Sequence, residues 1–252
     1  MRDRGHDVVE KLLATVDYLR IAVGTAEDSR RWLACDHLIA DPQHLFSVVR
    51  PTAGEWGSDD MVAMSLFVQG YAFRIATAAI GSFVLSGDVL SVRPQSTAIG
   101  MEHHRLNAVR LDRAELVGAE GDFAVLHRVL IDEHLARFVE AVHRSMRIGE
   151  PLLWANVGSS CAASFGAFVG PLADRIERIR NMVEGFFATA RGELRRSGRV
   201  VRIGRGLRWV WERSACCLYY QTEVSNRAKC DDCSLWTPAE RSARYAEMLE
   251  ET

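Results

Sequence analysis

SDDMVAMSLFVQGYAFRIATAAIGSFVLSG, from Ser58 to Gly87, is the stretch from which the rest of the chain is read. Between Met61 and Gly87 the only charged side chain is Arg74. Ser58 reads as an N-cap, Asp59 and Asp60 as an acidic first turn, and Gly87 as the stop of a helix reaching about Leu85. Its length alone would admit a membrane span. Ser65 and Gln69 argue instead for a helix buried inside a folded domain. Pro151–Ala173 repeats the theme: it carries no charge, yet holds Asn156, Ser159, Ser160, Ser164 and three glycines.

Helical patterns dominate around these two segments. Asp122 is placed to cap a helix in which Ile131, Leu135, Phe138 and Val142 recur at helical spacing, and Gly149 and Pro151 end it. Leu152–Val169 reads as a helix with a small-residue face of Ala155, Ser159, Ala162 or Ala163, and Gly166. Leu172, Ile176, Ile179, Val183, Phe186, Ala190 and Leu194 form an amphipathic stripe, and these two segments are expected to pair. Ser91–Arg113 lacks helical spacing and is expected to hold one or two short strands. Val200–Ile203 is β-prone, and Leu207, Trp209 and Trp211 alternate with a period of two. Thr237, Pro238 and Glu240 form a capping box opening a last helix to about Leu249. The expected fold is α+β. Residues 1–198 form a helix-rich body with a few short strands, and residues 199–252 form a C-terminal metal-binding segment.

Composition limits the function classes. The chain has 252 residues, is 48% hydrophobic and 25% charged, and so has ample material for a core. Its net charge of −2 argues against a nucleic-acid binder that works by bulk positive charge. Of 31 cationic side chains only Lys11 and Lys229 are lysine, which reads first as a nucleotide-composition bias. The charged N-terminal stretch lacks an apolar signal region, so the expected location is cytoplasmic.

Four of six cysteines, Cys216, Cys217, Cys230 and Cys233, fall within 18 residues. In a reducing compartment that clustering favours metal over disulfide. The Cys-x2-Cys turn is a usual chelating unit. The adjacent pair is not, because neighbouring side chains diverge in both strands and helices. Two converging thiolates on one Zn²⁺ would require a strained backbone. A [2Fe–2S] rhomb is longer, takes four thiolates, and accepts an adjacent pair with one thiolate on each iron. Spacing therefore favours iron–sulfur, with zinc second and a disulfide third. Cys35 and Cys161 sit among apolar neighbours and read as packing residues.

The run Ser214-Ala215-Cys216-Cys217-Leu218-Tyr219-Tyr220, followed by Cys230-Asp231-Asp232-Cys233, resembles the C-terminal signature of the FhuF-like ferric-siderophore reductases. Gln69-Gly70-Tyr71-Ala72, Glu133-His134-Leu135 and Leu153-Trp154-Ala155-Asn156 follow that family's order, so the resemblance covers about Asp59 to Leu235. Three features depart from it. Twelve residues separate the cysteine pairs where the family commonly has ten, the intervening loop Thr222–Lys229 has no glycine, and Ala155 stands where glycine is usual. A slightly longer loop costs little entropy.

The resemblance implies a [2Fe–2S] cluster on the four cysteines and one-electron reduction of an Fe(III)–siderophore to release Fe(II). It also implies a ferric siderophore and an electron-donor protein such as a ferredoxin as partners, with at most transient membrane association and no span. Reduction weakens the hard-oxygen bonds that hold ferric iron, and an all-cysteine cluster near about −400 mV is a suitable donor. No acid–base side chain is required, so no catalytic residue is expected beyond the cluster ligands. Candidate substrate-binding residues are Arg208, Arg213, Trp154, Asn156 and His134. The arginines belong to a basic stretch, Arg191, Arg195, Arg196, Arg199, Arg202, Arg205, Arg208 and Arg213, that reads as a docking face for anions. Trp209, Trp211, Tyr219, Tyr220 and Trp236 bracket the cysteines and would shield a cluster from water. His103-His104 lacks ligand spacing. Gly204-Arg205-Gly206 is not a dinucleotide fingerprint and no P-loop is present, so electrons are expected to arrive from another protein or a diffusible reductant. The alternatives are a non-catalytic iron–sulfur or zinc protein and a siderophore-binding accessory.

Overall fold

The computed structural model describes residues 3–25, 29–204 and 208–250, so Arg205, Gly206 and Leu207 of the basic and alternating stretches lie outside the described residues. The fold is α+β. In chain order it runs α1 (Arg4–Thr15), β1 (Ile21–Val23), β2 (Arg31–Ala34), α2 (Cys35–Ala40), α3 (Pro42–Glu55), α4 (Asp60–Ser86), β3 (Val89–Leu90), β4 (Thr97–Glu102), β5 (Arg105–Leu111) and β6 (Leu116–Val117). It continues through α5 (Phe123–Leu126), α6 (Ala136–Met146), α7 (Glu150–Gly166), α8 (Ile176–Thr189), α9 (Gly192–Arg196), β7 (Gly198–Ile203), β8 (Arg208–Arg213) and α10 (Pro238–Glu250).

Helix α4 is the spine. Its N-cap is Asp59, not Ser58: the carboxylate accepts the Val62 N–H at 2.8 Å. A carboxylate there both satisfies an orphan donor and complements the helix dipole. Gly87, at φ 79°, turns the chain out of the helix and returns its N–H to Phe83. The helix is long and apolar enough to cross a membrane, yet 72% of its most apolar window is buried inside the fold. Tyr71, Ile75, Ile80 and Phe83 are fully enclosed.

Helix α7 lies against α4 through small polar side chains. Asn156 Nδ2 donates to Ser65 O at 2.8 Å, Ser160 Oγ to Gln69 O at 2.8 Å, and Ser164 Oγ meets Thr77 Oγ1 at 3.0 Å. The expected pairing of α7 with the 172–194 stripe is part of the packing, with Phe165 and Phe186 rings 5.6 Å apart. The small-residue face, however, serves α4 and the C-terminal hairpin. A Cβ on Gly158 would collide with Ser197 Oγ and reach Trp211 at 3.0 Å, so glycine is what lets the hairpin approach. The stripe itself is broken by a 3₁₀ turn at Ala173–Arg175 and by extended Ala190.

Between α5 and α6 the chain is π-helical over His127–Leu135. The expected stripe is still buried, with Leu135, Phe138 and Val142 enclosed. A four-stranded sheet in the order β1-β5-β4-β2 covers the body, with β1 parallel to β5 and the other pairs antiparallel. The hairpin β4–β5 lies within the expected Ser91–Arg113 region. His103 and His104 form its turn, both at positive φ, as a two-residue hairpin loop requires. Strands β1 and β2 have three and four residues, too few alternations to read from sequence. The C-terminal hairpin pairs Val200 with Trp211 and Arg202 with Trp209. The capping box at α10 is present: Glu240 N–H donates to Thr237 Oγ1, and the Glu240 carboxylate accepts the Thr237 N–H at 2.7 Å.

Candidate metal centre

Strand β8 delivers the chain to Cys216, and Ser214 N–H closes the hairpin on Ser197 O. After Cys217 the backbone enters the left-handed region at Leu218, φ 70°, an uncommon conformation for a bulky side chain. The turn brings the Leu218 N–H to Cys216 Sγ at 3.3 Å. A tight turn follows at the second pair, with Cys233 N–H on Cys230 O and Trp236 Nε1–H on Cys230 O at 2.9 Å.

These turns bring the four thiols together in two crossed pairs. Cys216 Sγ lies 3.8 Å from Cys233 Sγ, and Cys217 Sγ lies 3.4 Å from Cys230 Sγ. All four are free thiols. Two thiolates sharing one tetrahedral ion at about 2.3 Å sit about 3.8 Å apart, so the Cys216–Cys233 separation matches the edge of a metal site, the Cys217–Cys230 separation is shorter, and neither pair is a disulfide. The adjacent cysteines are divided between the pairs, and so are the two of the Cys-x2-Cys turn. Among the described residues, no group of three or more His, Cys, Asp or Glu is gathered around a single ion position.

The site is electrostatically prepared. Cys217 is held well below the ordinary thiol range by hydrogen bonds from Cys216 and Cys230, with Arg213 and the Tyr219 N–H adding to the effect. Cys216 and Cys230 are pushed up, chiefly by their hydrogen bonds to Cys217. Arg213 is buried beneath them. Its Nε donates to Asp232 Oδ2 at 2.9 Å and one Nη to Asn156 Oδ1 at 3.3 Å, while the other Nη is buried without a hydrogen-bond partner. Asp232 also accepts from Ser159 Oγ. Ser65 Oγ donates to Cys217 O at 2.9 Å. This polar chain ties α4, α7, β8 and both cysteine pairs into one unit. Four neighbouring sulfurs, an amide on sulfur and a buried cation with one Nη still unpartnered fit a group that takes four thiolates.

The candidate substrate-binding residues fare differently. Arg213 has a side-chain exposure of 0% and is a buried strut, not part of a docking face. Arg208 donates to the Met248 carbonyl and so ties β8 to the end of α10. Arg199 pairs with Glu212 at 2.7 Å and Arg202 with Glu184 at 2.5 Å; Arg196 pairs with Glu193. Arg196, Arg199 and Arg202 of the basic stretch thus lie in ion pairs with carboxylates while their side chains stay exposed. Asn156 is fully buried in the network under the cysteines. Trp154 packs half-buried against the core, about 200° round the helix from Asn156.

His134 is a core histidine. Its Nδ1–H is bonded to Val92 O, so Nε2 accepts from Tyr71 Oη at 2.6 Å. Burial lowers its pKa to about 4. With both nitrogens engaged it offers nothing to a substrate. Burial also pushes the Cys35 thiol up to about 12 and raises Cys161, in keeping with packing roles. Of the aromatics, Tyr219 lines a groove with Cys217 and Cys230, and Trp236 covers the Cys230 turn. Trp211 instead stacks on Phe187 in the body.

That groove, about 350 Å³, brings Trp56, Leu66, Gln69, Phe73 and Tyr219 against Cys217 and Cys230. A second, about 470 Å³, shares Gln69 and Cys230 and extends toward Trp209 and Tyr245. Trp56 and Phe73 were not singled out by sequence reasoning, because an aromatic at the end of a helix or within one reads the same in core and groove. Ser65, Ser159 and Asp232 carried a signal: polar residues at helical spacing inside uncharged helices, and an acid within the cysteine motif.

No protein-family model matches the chain, and no curated protein is found to match it. Among solved structures, ATP-bound aerobactin synthetase IucA from a hypervirulent pathotype of Klebsiella pneumoniae is similar, with a TM-score of 0.53 and 12% identity. The match covers 64% of this chain and 38% of the synthetase, so the chain spans well under half of that protein's length. The likeness is one of fold.

Proposed function

We propose that this chain is an iron–sulfur oxidoreductase that passes one electron to an Fe(III)–siderophore in the cytosol and releases Fe(II). The observation that carries the reading is the convergence of Cys216, Cys217, Cys230 and Cys233 in two sulfur pairs, one of which opens on a groove. A [2Fe–2S] cluster held by these four side chains supplies a one-electron reductant of low potential. The rest of the work belongs to the chain. Cys217 and Cys230 form the edge of the binding unit nearest the groove. Trp56, Phe73 and Tyr219 give it an aromatic wall against which a chelate is held close, the main requirement of electron transfer. Trp236 limits water at the Cys230 turn. The fold shared in part with an aerobactin synthetase adds support from outside the chain.

The test is anaerobic purification, a visible spectrum, and iron and sulfide analysis, followed by turnover. Two irons and two labile sulfides per chain are expected. Dithionite-treated protein should then yield Fe(II), trapped by a ferrous chelator, from a ferric siderophore. One zinc and no sulfide would point to a structural metal protein. A loaded cluster without turnover on any ferric chelate would point to an iron-handling accessory.

A further inference from the structure

We propose that Arg213 is a positioning residue that acts as the fixed counter-charge of the cysteine centre and sets its reduction potential against the opposing carboxylate of Asp232. The inference rests on the iron–sulfur reading above.

The Arg213 side chain is fully enclosed, which a cation tolerates when paired, here with Asp232. Two corners of the guanidinium are fixed, one by Asp232 at 2.9 Å and one by Asn156 at 3.3 Å. Asn156 is itself fixed by Ser65, which holds the Cys217 carbonyl. The remaining Nη has no partner, and a buried donor without one demands an explanation. Cys217 and Cys230 are close enough to interact with this cation electrostatically, and they are the sulfur pair in contact at 3.4 Å. The neutral amide of Asn156 and the hydroxyls of Ser65 and Ser159 orient the fork without cancelling its charge. Among the described residues Asp232 is the carboxylate paired with it, and that side chain is 21% exposed, so its field is the more screened of the two.

Reduction adds a negative charge to a centre already bearing four thiolates. A buried cation favours the reduced state and raises the potential, and a neighbouring carboxylate lowers it. The two charges therefore pull in opposite directions. Loosening of the structure would not produce that pattern, since extra water would reach the centre in either variant.

The experiment is potentiometric titration of the purified holoprotein and of Arg213→Gln, Arg213→Lys and Asp232→Asn, with bound iron and sulfide measured in each. Arg213→Gln should shift the one-electron equilibrium at least tenfold toward the oxidised form, which is 59 mV. Asp232→Asn, which keeps an oxygen for Arg213 Nε, should shift it the other way. Arg213→Lys should fall between Arg213→Gln and the wild type. Shifts of the first two in the same direction, or an Arg213→Gln value within threefold of the wild type, would overturn the proposal. If Arg213→Gln does not hold the cluster, Asp232→Asn decides: an upward shift sustains the proposal and any other result overturns it. If the wild type has no iron or sulfide, the proposed function fails by that measurement. Co²⁺ titration of the same variants then tests the counter-charge directly. Tenfold weaker binding by Arg213→Gln with no weakening in Asp232→Asn sustains the counter-charge, and equal weakening overturns it.

Discussion

The body around α4 and the cysteine segment are stabilised in different ways. The body encloses Tyr71, Phe83, Phe138, Phe165 and Phe186 in one continuous core, and full burial of each such side chain contributes about 3 kcal/mol. The segment from Cys216 to Trp236 is made of short 3₁₀ turns and buries little apolar surface. It is held by Ser65, Asn156, Arg213 and Asp232, and its left-handed Leu218, Asn226 and Arg227 are conformations that ordinary side chains adopt at a cost. A core can lose one contact and persist. A polar network around four sulfurs depends on each member, because a buried group that loses its partner bears the full desolvation penalty.

The sharpest break between the two regions is expected at the thiols. Serine at any of Cys216, Cys217, Cys230 or Cys233 should abolish bound iron and sulfide, while far-UV circular dichroism retains most of its helical signal. Cys35→Ala and Cys161→Ala should keep the metal. A global loss of helix on metal removal would show that the centre organises the core after all.

Next in size is the converse. Phe83→Ala should cost about 3–5 kcal/mol in urea unfolding, with the spectrum of the centre unchanged in the protein that remains folded. Coupled loss of both would join the two regions into one cooperative unit.

Protonation offers a third test. His134 has its pKa lowered to about 4 by burial, against about 6.5 when unfolded. Its contribution is thus complete above pH 6.5 and falls as pH drops toward 4, where the unfolded chain binds a proton that the folded chain refuses. The loss is about 3 kcal/mol over that window. His134→Gln should be less stable at pH 7 and should flatten that part of the profile, measured by denaturant midpoints across pH. An unchanged slope would show that another group governs acid sensitivity.

The smallest effect is expected at Arg208. Its guanidinium is bonded to the Met248 carbonyl, so Arg208→Gln should change the rate of ferric-chelate reduction less than about twofold, within the modest range of exposed polar contacts. A large, salt-sensitive slowing would restore the basic stretch as a docking face.

Sequence alone was enough for the features set by local chemistry. The stretch from Met61 to Gly87, charged only at Arg74, read as an enclosed helix, and Val200–Ile203 with the alternation at Leu207, Trp209 and Trp211 read as β structure. Thr237, Pro238 and Glu240 had to open a helix. Clustering of Cys216, Cys217, Cys230 and Cys233 marked the candidate site, since four thiols in one short segment need a common reason. Only the tertiary structure decided which sulfur meets which, because the crossed pairing depends on Leu218 entering the left-handed region and on the turn at Cys230. It also decided the charges. Arginine in a basic run reads as surface, but Arg213 is drawn inward by Asp232 and Asn156, partners 19 and 57 residues away in the chain. The same holds for His134, whose meaning lay in Tyr71 and Val92, and for Gly158, whose missing side chain admits the hairpin. Propensity and periodicity act over a few residues, whereas a buried charge is set by whichever distant groups the packing brings to it.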